Sequence, residues 1–413
     1  LGSRGLGDVY KRQAYGCEPN KGSEAGVGWN WVLQMAKHNR LHVITRANNQ
    51  ELIEAHLPLE SKEKIKFYYY DAPEFIKSLK NKSKGLYFYY FCWQLGIIPL
   101  VRQILKQNKI DYTMHLTFGS MWMPTFLPFF RTAFIWGPVG GGDCEPKSFL
   151  KVLPLKQKIM QTARYVMNTL SFLHPSIMFP ATRAKVILAR TENSANVIPR
   201  CFKNKTKIIL ETAMEDAVFE FKKKNREDDE IRLITSGRLL PNKNILTAVR
   251  SLKYVNNKQK VSLSIVGSGY QKKEILKEVE KNGWKDCVKI YDELPRQKVL
   301  ELLEHSDIFL FPSLREGGSW SLMEAMAISL PVICLNWAGM AVTTDDLCAI
   351  RLPVTNPQQM PKDMATAIIK LIENPELRKR MGDAGRKRIK EVFNWEAKGL
   401  FMERLFAELN SKR

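Results

Sequence analysis

In the second half of the chain, short apolar, β-branched runs alternate with longer stretches in which apolar residues return every three or four positions. The runs IRLITSG (231–237), KVSLSIVG (260–267), CVKIYD (287–292), DIFLFPS (307–313) and PVICLN (331–336) predict strands. The stretches 242–256, 270–282, 295–305 and 319–329 predict the helices between them. Continuous apolar runs suit strands buried on both faces, so this rhythm implies a parallel sheet covered by helices. The first half follows the same grammar less regularly. A helix is predicted over 26–38, strands over 41–46, 64–71, 111–118 and 184–191, and helical sequence over 86–107 and much of 146–185. TAFIWGPVGGGD (132–143) reads as a strand running into a glycine-rich turn.

This punctuation divides the chain. The polar stretch FKKKNREDDE (221–230) is the linker candidate, giving an N-terminal domain at 14–222 and a C-terminal domain at 223–390. Residues 391–413 are expected to form a C-terminal helix that packs back on the first domain. Residues 3–13, SRGLGDVYKRQ, resemble the translation of a sequencing-library adapter, so 1–13 are read as a non-native segment. A turn-then-helix pattern begins abruptly at Ala14 with no strand before it, so the first strand of the sheet is expected to be missing.

Composition narrows the partners. The 413 residues suit two domains, and 45% hydrophobic with 26% charged residues is ordinary for a globular chain. The excess of 64 Lys+Arg over 42 Asp+Glu, net +22, favours anionic partners. No RNA-binding aromatic motif, zinc-finger spacing or recognition helix accompanies the charge, which sets an anionic membrane surface or phosphorylated substrate ahead of nucleic acid. The seven cysteines are scattered without a C-x-x-C pair, which suits reduced thiols in the cytoplasm. No run reaches the length of a membrane-spanning helix; LYFYYFCWQLGIIPLV (86–101) is broken by Gln94, Gly96 and Pro99.

Three motifs carry chemistry. In EGGSWSLMEAMAISLPVI (316–333), Glu316 falls in a strand-to-helix loop and Glu324 inside the following helix. Gly317 and Gly318 let backbone approach a ligand, Ser319 or Ser321 is placed to cap the helix, and its first N–H groups suit a diphosphate. In SGRLLPNKN (236–244), Arg238 and Lys243 set two cations at a strand's carboxyl end, although a chain this basic also scatters cations on its surface. VGSGY (266–270) places Gly267 in a tight turn after a strand. Taken singly, each has a purely structural alternative.

Together these motifs resemble glycosyltransferase family 4. The likeness rests on GRLLPNKN, VGSG, FPSLREGGSWSLMEAMA with its Glu-x7-Glu spacing, PVI followed by NWAGMA, and, in the first half, EPNKGSEAGVGWNW, HLTFGS and WGPVGGG. The resemblance implies a GT-B architecture, α/β with two Rossmann-like doubly wound domains facing across a cleft. It implies that Arg238 and Lys243 bind the donor diphosphate, Glu324 holds the ribose and Glu316 the transferred sugar, with Gly317, Gly318, Ser319 and Gly267 lining the donor. Gly22 and Ser23 fall in the family's glycine-rich first loop, His115 in its cleft near the sugar, and Glu18 on the acceptor side. As a lone histidine His115 has a structural alternative.

Departures are AVTTDD after NWAGM, where the family more often carries a glutamate, and ETAM (211–214) in place of an asparagine-glycine hinge. The implied activity is a retaining, metal-independent transfer from a UDP-, GDP- or ADP-sugar to a glycan or lipid-linked acceptor. It would need no cofactor, and would act at the inner face of a bacterial plasma membrane in surface polysaccharide synthesis. The competing readings are a catalytically inactive GT-B scaffold in a polysaccharide-assembly complex, a non-hydrolysing epimerase and a nucleic-acid-binding protein.

Overall fold

The computed structural model describes the chain apart from residues 1–9, 14, 20–22, 79–84, 225, 256–259 and 412–413. It falls into two compact units, each built on an all-parallel sheet.

The first unit comprises residues 1–142, 167–211 and 395–413. Its strands are β1 (Tyr10–Gln13), β2 (Leu41–Thr45), β3 (Ile65–Tyr69), β4 (Tyr112–His115), β5 (Ala133–Val139), β6 (Ala184–Ala189) and β7 (Thr206–Ile208), in the order β3-β2-β1-β4-β5-β6-β7. The central position expected to be vacant is filled. Tyr10 pairs with Leu41 and Lys11 with Thr113, so β1 lies between β2 and β4. The physical reason is that ladder bonds join backbone N–H to C=O and do not depend on side-chain identity. Helix α1 (Ser23–Ala36) buries Trp31, whose Nε1 donates to the Glu211 carbonyl at 2.7 Å. Helix α2 (Leu86–Gly96) buries Tyr89, Tyr90 and Trp93 and leaves Tyr87, Phe88, Phe91 and Leu95 exposed. The C-terminal helix Trp395–Ser411 lies against α1 within this unit, and Tyr112 Oη donates to Asn410 Oδ1 at 2.6 Å.

The second unit comprises residues 143–166 and 212–394. Its boundaries differ from those read in the sequence. The excursion 143–166, which carries most of helix α3 (Leu155–Thr169), sorts with the second unit, and the crossover falls at 211/212 rather than at the polar stretch 221–230. That stretch is anchored instead: Arg226 pairs with Asp307, and Lys223 with Asp307 at 3.0 Å. Charge made it look like a linker, and buried ion-pair partners keep it on the domain.

Six strands follow: β8 (Ile231–Ser236), β9 (Val261–Val266), β10 (Val288–Tyr291), β11 (Ile308–Phe311), β12 (Val332–Leu335) and β13 (Ala349–Leu352), ordered β10-β9-β8-β11-β12-β13. Helices α4 (Ile245–Ser251), α5 (Trp320–Ala327) and α6 (Ala338–Thr343) lead away from the carboxyl ends of β8, β11 and β12. The chain builds outward from β8 in one direction and then returns to build in the other. β8 and β11 are therefore the topological switch point, where the loops after the strands part and leave a crevice. Among the described residues no helix is long and apolar enough to cross a membrane, and no cysteine pair forms a disulfide.

Arg386 ties the far end of α5 to the start of the unit: its guanidinium donates to the carbonyls of Phe219 at 2.6 Å, Phe221 at 3.0 Å and Ala327. Arg386→Met keeps the aliphatic length and leaves three carbonyls without their donor. A loss of about 2 kcal/mol in urea unfolding is expected; a change below about 0.5 kcal/mol, the size of an ordinary surface substitution, would contradict this role.

Candidate functional site

At the switch point of the second unit, two loops cross. The loop after β8 carries Arg238 and the short turn Pro241–Lys243, and the loop after β11 carries Ser313–Ser319. The backbone binds them together: Leu314 N donates to the Asn242 carbonyl at 2.8 Å, and Ser313 Oγ to the same carbonyl at 3.2 Å. Asn244 begins α4 in the left-handed region, at φ 55°, and its side-chain amide donates to the Pro312 carbonyl at 3.3 Å. This frame aims Lys243 Nζ at Glu316 Oε1, and the two form an ion pair in which both side chains are largely buried. Arg238 is exposed at the carboxyl end of β8.

Glu324 sits on α5 with 6% of its surface exposed. Burial pushes its carboxyl pKa up, while the Arg296 guanidinium, donating from Nε at 2.7 Å, pulls it back. Arg296 also meets Glu215 at 3.4 Å. Nothing in the motifs had marked Arg296, which lies at the start of the helix after β10.

The glycines do different work from the one expected. Gly267 has φ 143°, and a Cβ there would lie 2.0 Å from the Gly237 carbonyl oxygen, so it lets the turns after β8 and β9 close on each other. A Cβ on Gly318 would lie 1.8 Å from Thr212 Oγ1. The Gly317 carbonyl oxygen lies where a Cβ on Gly339 would sit, at 1.8 Å, and Gly339 N donates to the Glu316 carbonyl at 2.9 Å. The close approaches that Gly317 and Gly318 were expected to offer a ligand are thus taken up in part by protein. The serines differ too. Ser319 is the N-cap residue of α5 but makes no side-chain capping bond; it meets Ser321 at 3.2 Å, and Ser321 Oγ donates to the Ser236 carbonyl at 3.4 Å. Among the described residues, the first N–H groups of α5 thus receive no capping bond from their N-cap side chain.

The two sequence departures are structural in this unit. AVTTDD continues as α6, after which Asp345 pairs with Arg388 at 2.7 Å and Asp346 with Arg351 at 2.8 Å. In ETAM, Thr212 fills the space beside Gly318, and Met214 N donates to the Phe393 carbonyl at 2.7 Å.

The first unit holds a separate group of candidates. His115 ends β4 with 2% of its surface exposed; its Nε2 faces the Phe118 carbonyl at 3.4 Å, and its Nδ1 has no hydrogen-bond partner among the described residues. Burial pulls its pKa down to about 4. The following loop is held by a residue that sequence reasoning passed over: Glu24 Oε1 accepts from Gly119 N at 2.9 Å and from Arg190 Nη2 at 3.2 Å. Arg190 Nη1 reaches Glu211 at 3.2 Å, which completes a carboxylate–guanidinium–carboxylate bridge. Glu18 pairs with Arg46 at 3.4 Å. Ser23 begins α1, and Gly22 lies outside the described residues.

The His115 shift has a signed consequence. Its folded pKa of about 4 lies below histidine's ordinary value of 6.5, so the unfolded chain binds more protons between those pH values. This contribution to stability is complete above pH 6.5 and drains away as pH falls toward 4. His115→Gln should flatten that part of the curve in urea unfolding; an unchanged slope would remove His115 as its source. Gly339→Ala tests the second unit, because its Cβ must displace the Gly317 carbonyl. The expected result is a lower midpoint in urea unfolding, whereas an unchanged midpoint would show that the loop need not sit where it does.

Comparison with known proteins accords with this geometry. Residues 217–388, all within the second unit, match the family model for glycosyl transferases group 1. An uncharacterised glycosyltransferase of Methanocaldococcus jannaschii is 30% identical over 207 residues, 48% of this chain and 51% of that protein. The chain spans about half the length of the curated relatives it matches. Among solved structures, sucrose-phosphate synthase from Thermosynechococcus elongatus superposes with a TM-score of 0.62 at 15% identity, covering 98% of this chain and 100% of that one. Anabaena HepE, solved with UDP and glucose, superposes with a TM-score of 0.56 at 13% identity, covering 98% and 100%. At such identities the likeness is one of fold. Residues 217–388 are thus similar to the group 1 glycosyl transferases, and the two Rossmann-like units have the GT-B fold.

Proposed function

We propose that the protein transfers a sugar from a nucleoside-diphosphate donor to a glycan or lipid-linked acceptor, with retention at the anomeric carbon. The observation that carries this reading is the Lys243–Glu316 pair at the β8/β11 switch point, with Arg238 exposed on the same loop as Lys243. A diphosphate leaving group needs its growing charge neutralised, and cations fixed at strand ends supply this without reorganisation at the moment of reaction. Lys243 and Arg238 would take the two phosphates, aided by the uncapped start of α5. Glu316 would then exchange its lysine partner for hydroxyls of the transferred sugar. Glu324, held by Arg296 through one oxygen, would offer the other to the ribose hydroxyls.

In this scheme the acceptor hydroxyl attacks the anomeric carbon on the face from which the diphosphate departs. The bond from that carbon to the phosphate oxygen breaks, and the departing oxygen takes the hydroxyl proton. No protein base is required, and protein cations do the work a metal would otherwise do. Anabaena HepE, solved with UDP and glucose, supports UDP-sugars as a donor class to test beside GDP- and ADP-sugars. The proposed setting is the cytoplasmic face of a bacterial membrane, in surface polysaccharide synthesis. The basic charge balance supports an acceptor held at an anionic surface.

Lys243→Ala is expected to lower kcat by about 10²–10³ while leaving the circular dichroism spectrum unchanged. A normal kcat would exclude Lys243 from leaving-group stabilisation. Glu324→Gln should weaken nucleotide affinity about tenfold in calorimetry, since hydrogen bonds to a charged acceptor are lost; equal affinity would remove it as the ribose ligand. Nucleotide binding without turnover on any sugar–acceptor combination would instead favour the inactive scaffold.

A further inference from the structure

A helix on a water-facing surface turns its polar residues outward. Helix α3 does the reverse along its stretch in the second unit. Its inward positions are polar: Gln157 donates to Tyr270 Oη at 2.5 Å, Gln161 to Glu145 Oε1 at 2.8 Å, Arg164 to the Asp143 carbonyl at 3.3 Å and Tyr165 Oη to the Glu145 carbonyl at 2.5 Å. Its outward positions are apolar. Leu155, Ile159 and Val166 are 73%, 60% and 52% exposed, with Met160 beside them at 57% and Val152 preceding them at 55%. Leu155 and Ile159 are four residues apart and Val166 follows two turns on, so they form one stripe.

The charge along the segment that carries the stripe is of one sign. Lys147, Lys151, Lys156 and Lys158 are exposed, and no Asp or Glu occurs between Glu145 and Glu192. Beside Val152 the same surface continues into a depression lined by Lys253, Tyr254, Lys362 and the Arg250–Glu278 ion pair. An apolar stripe flanked by lysines is the composition of a helix lying in the plane of a membrane interface.

We propose that this outward face of α3 docks on an anionic lipid bilayer, with Leu155, Ile159, Met160 and Val166 entering the headgroup–acyl boundary and the lysines meeting lipid phosphates. A second copy of the chain is a poorer occupant. A two-fold contact through this face would oppose lysines to lysines with no carboxylate in the segment to pair them. The proposal deepens the membrane-side reading given above, yet its test needs no turnover.

The full chain is floated with vesicles of phosphatidylcholine alone and of phosphatidylcholine mixed equally with phosphatidylglycerol, while thermal stabilisation by nucleotides is followed in parallel. Binding to the anionic vesicles alone is expected, and it should weaken at about 0.5 M salt, where screening shortens the reach of charge. The pair Leu155→Glu and Ile159→Glu should abolish flotation with nucleotide response unchanged, and Lys156→Gln should lower partitioning about fivefold. The proposal is overturned if the folded wild type ignores anionic vesicles, or if the glutamate pair floats as well as wild type. A dimer in light scattering that the glutamate pair dissolves would overturn it too, by making the face a self-association surface. Flotation without any nucleotide response would leave the docking face standing and count against the transferase reading.

Discussion

Every candidate donor-side residue in the second unit takes its place from one constraint, the parting of a parallel sheet at the β8/β11 junction. Strands grow outward from that junction on both sides, so the loops after β8 and β11 leave in opposite directions and expose their backbone at the carboxyl end of the sheet. The loops are then drawn together by bonds that ignore side-chain chemistry, chiefly Leu314 N to the Asn242 carbonyl. Gly267 and Gly339 let neighbouring turns close to distances that any Cβ would prevent. Lys243 and Glu316, far apart in sequence, become a buried pair because this frame leaves them facing one another.

The frame also explains the electrostatic poise of the unit. A buried ion pair gains little net stability, because both charges lose water, but it holds each partner in a defined direction. Lys243–Glu316 is largely buried in this way, while Arg296–Glu324 joins a buried carboxylate to a guanidinium that is 45% exposed. Lys243, Glu316 and Glu324 each have a ligand group to meet in the proposed reaction, and Arg296 holds Glu324 in position for it. Burial pushes the Glu324 carboxyl pKa up, and the Arg296 guanidinium opposes that shift.

Much of this was legible in the sequence because it depends on periodicity and on residues at loop positions. Five of the six strands of the second unit fall where continuous apolar runs end in Gly, Asp, Ser or Asn, β13 having no such run, and Arg238, Lys243, Glu316 and Glu324 stand in the motifs that carry the family resemblance. What escaped depends on contacts between distant segments. Arg296 carries no motif, and only the fold brings it to Glu324. Glu24 lies inside a motif yet shows its role only through Gly119 and Arg190. The stretch 221–230 looked like a linker because composition cannot reveal that Asp307 waits for Arg226 and Lys223. β1 was discounted because polar sequence argues against a central strand, whereas its ladders need only backbone. Likewise the basic character of α3 was visible, but its inversion, polar inward and apolar outward, required knowing what Gln161 and Tyr165 touch.

The central claim is that the second unit holds a nucleoside diphosphate at the β8/β11 junction. The most direct measurement is a thermal-shift titration of the wild-type chain with UDP, GDP and ADP and their common sugars. The account predicts that one nucleotide family raises Tm selectively, with about 2.7 kcal/mol of stabilisation at a hundredfold excess over Kd. A cooperatively unfolding protein whose Tm responds to none of them would contradict it.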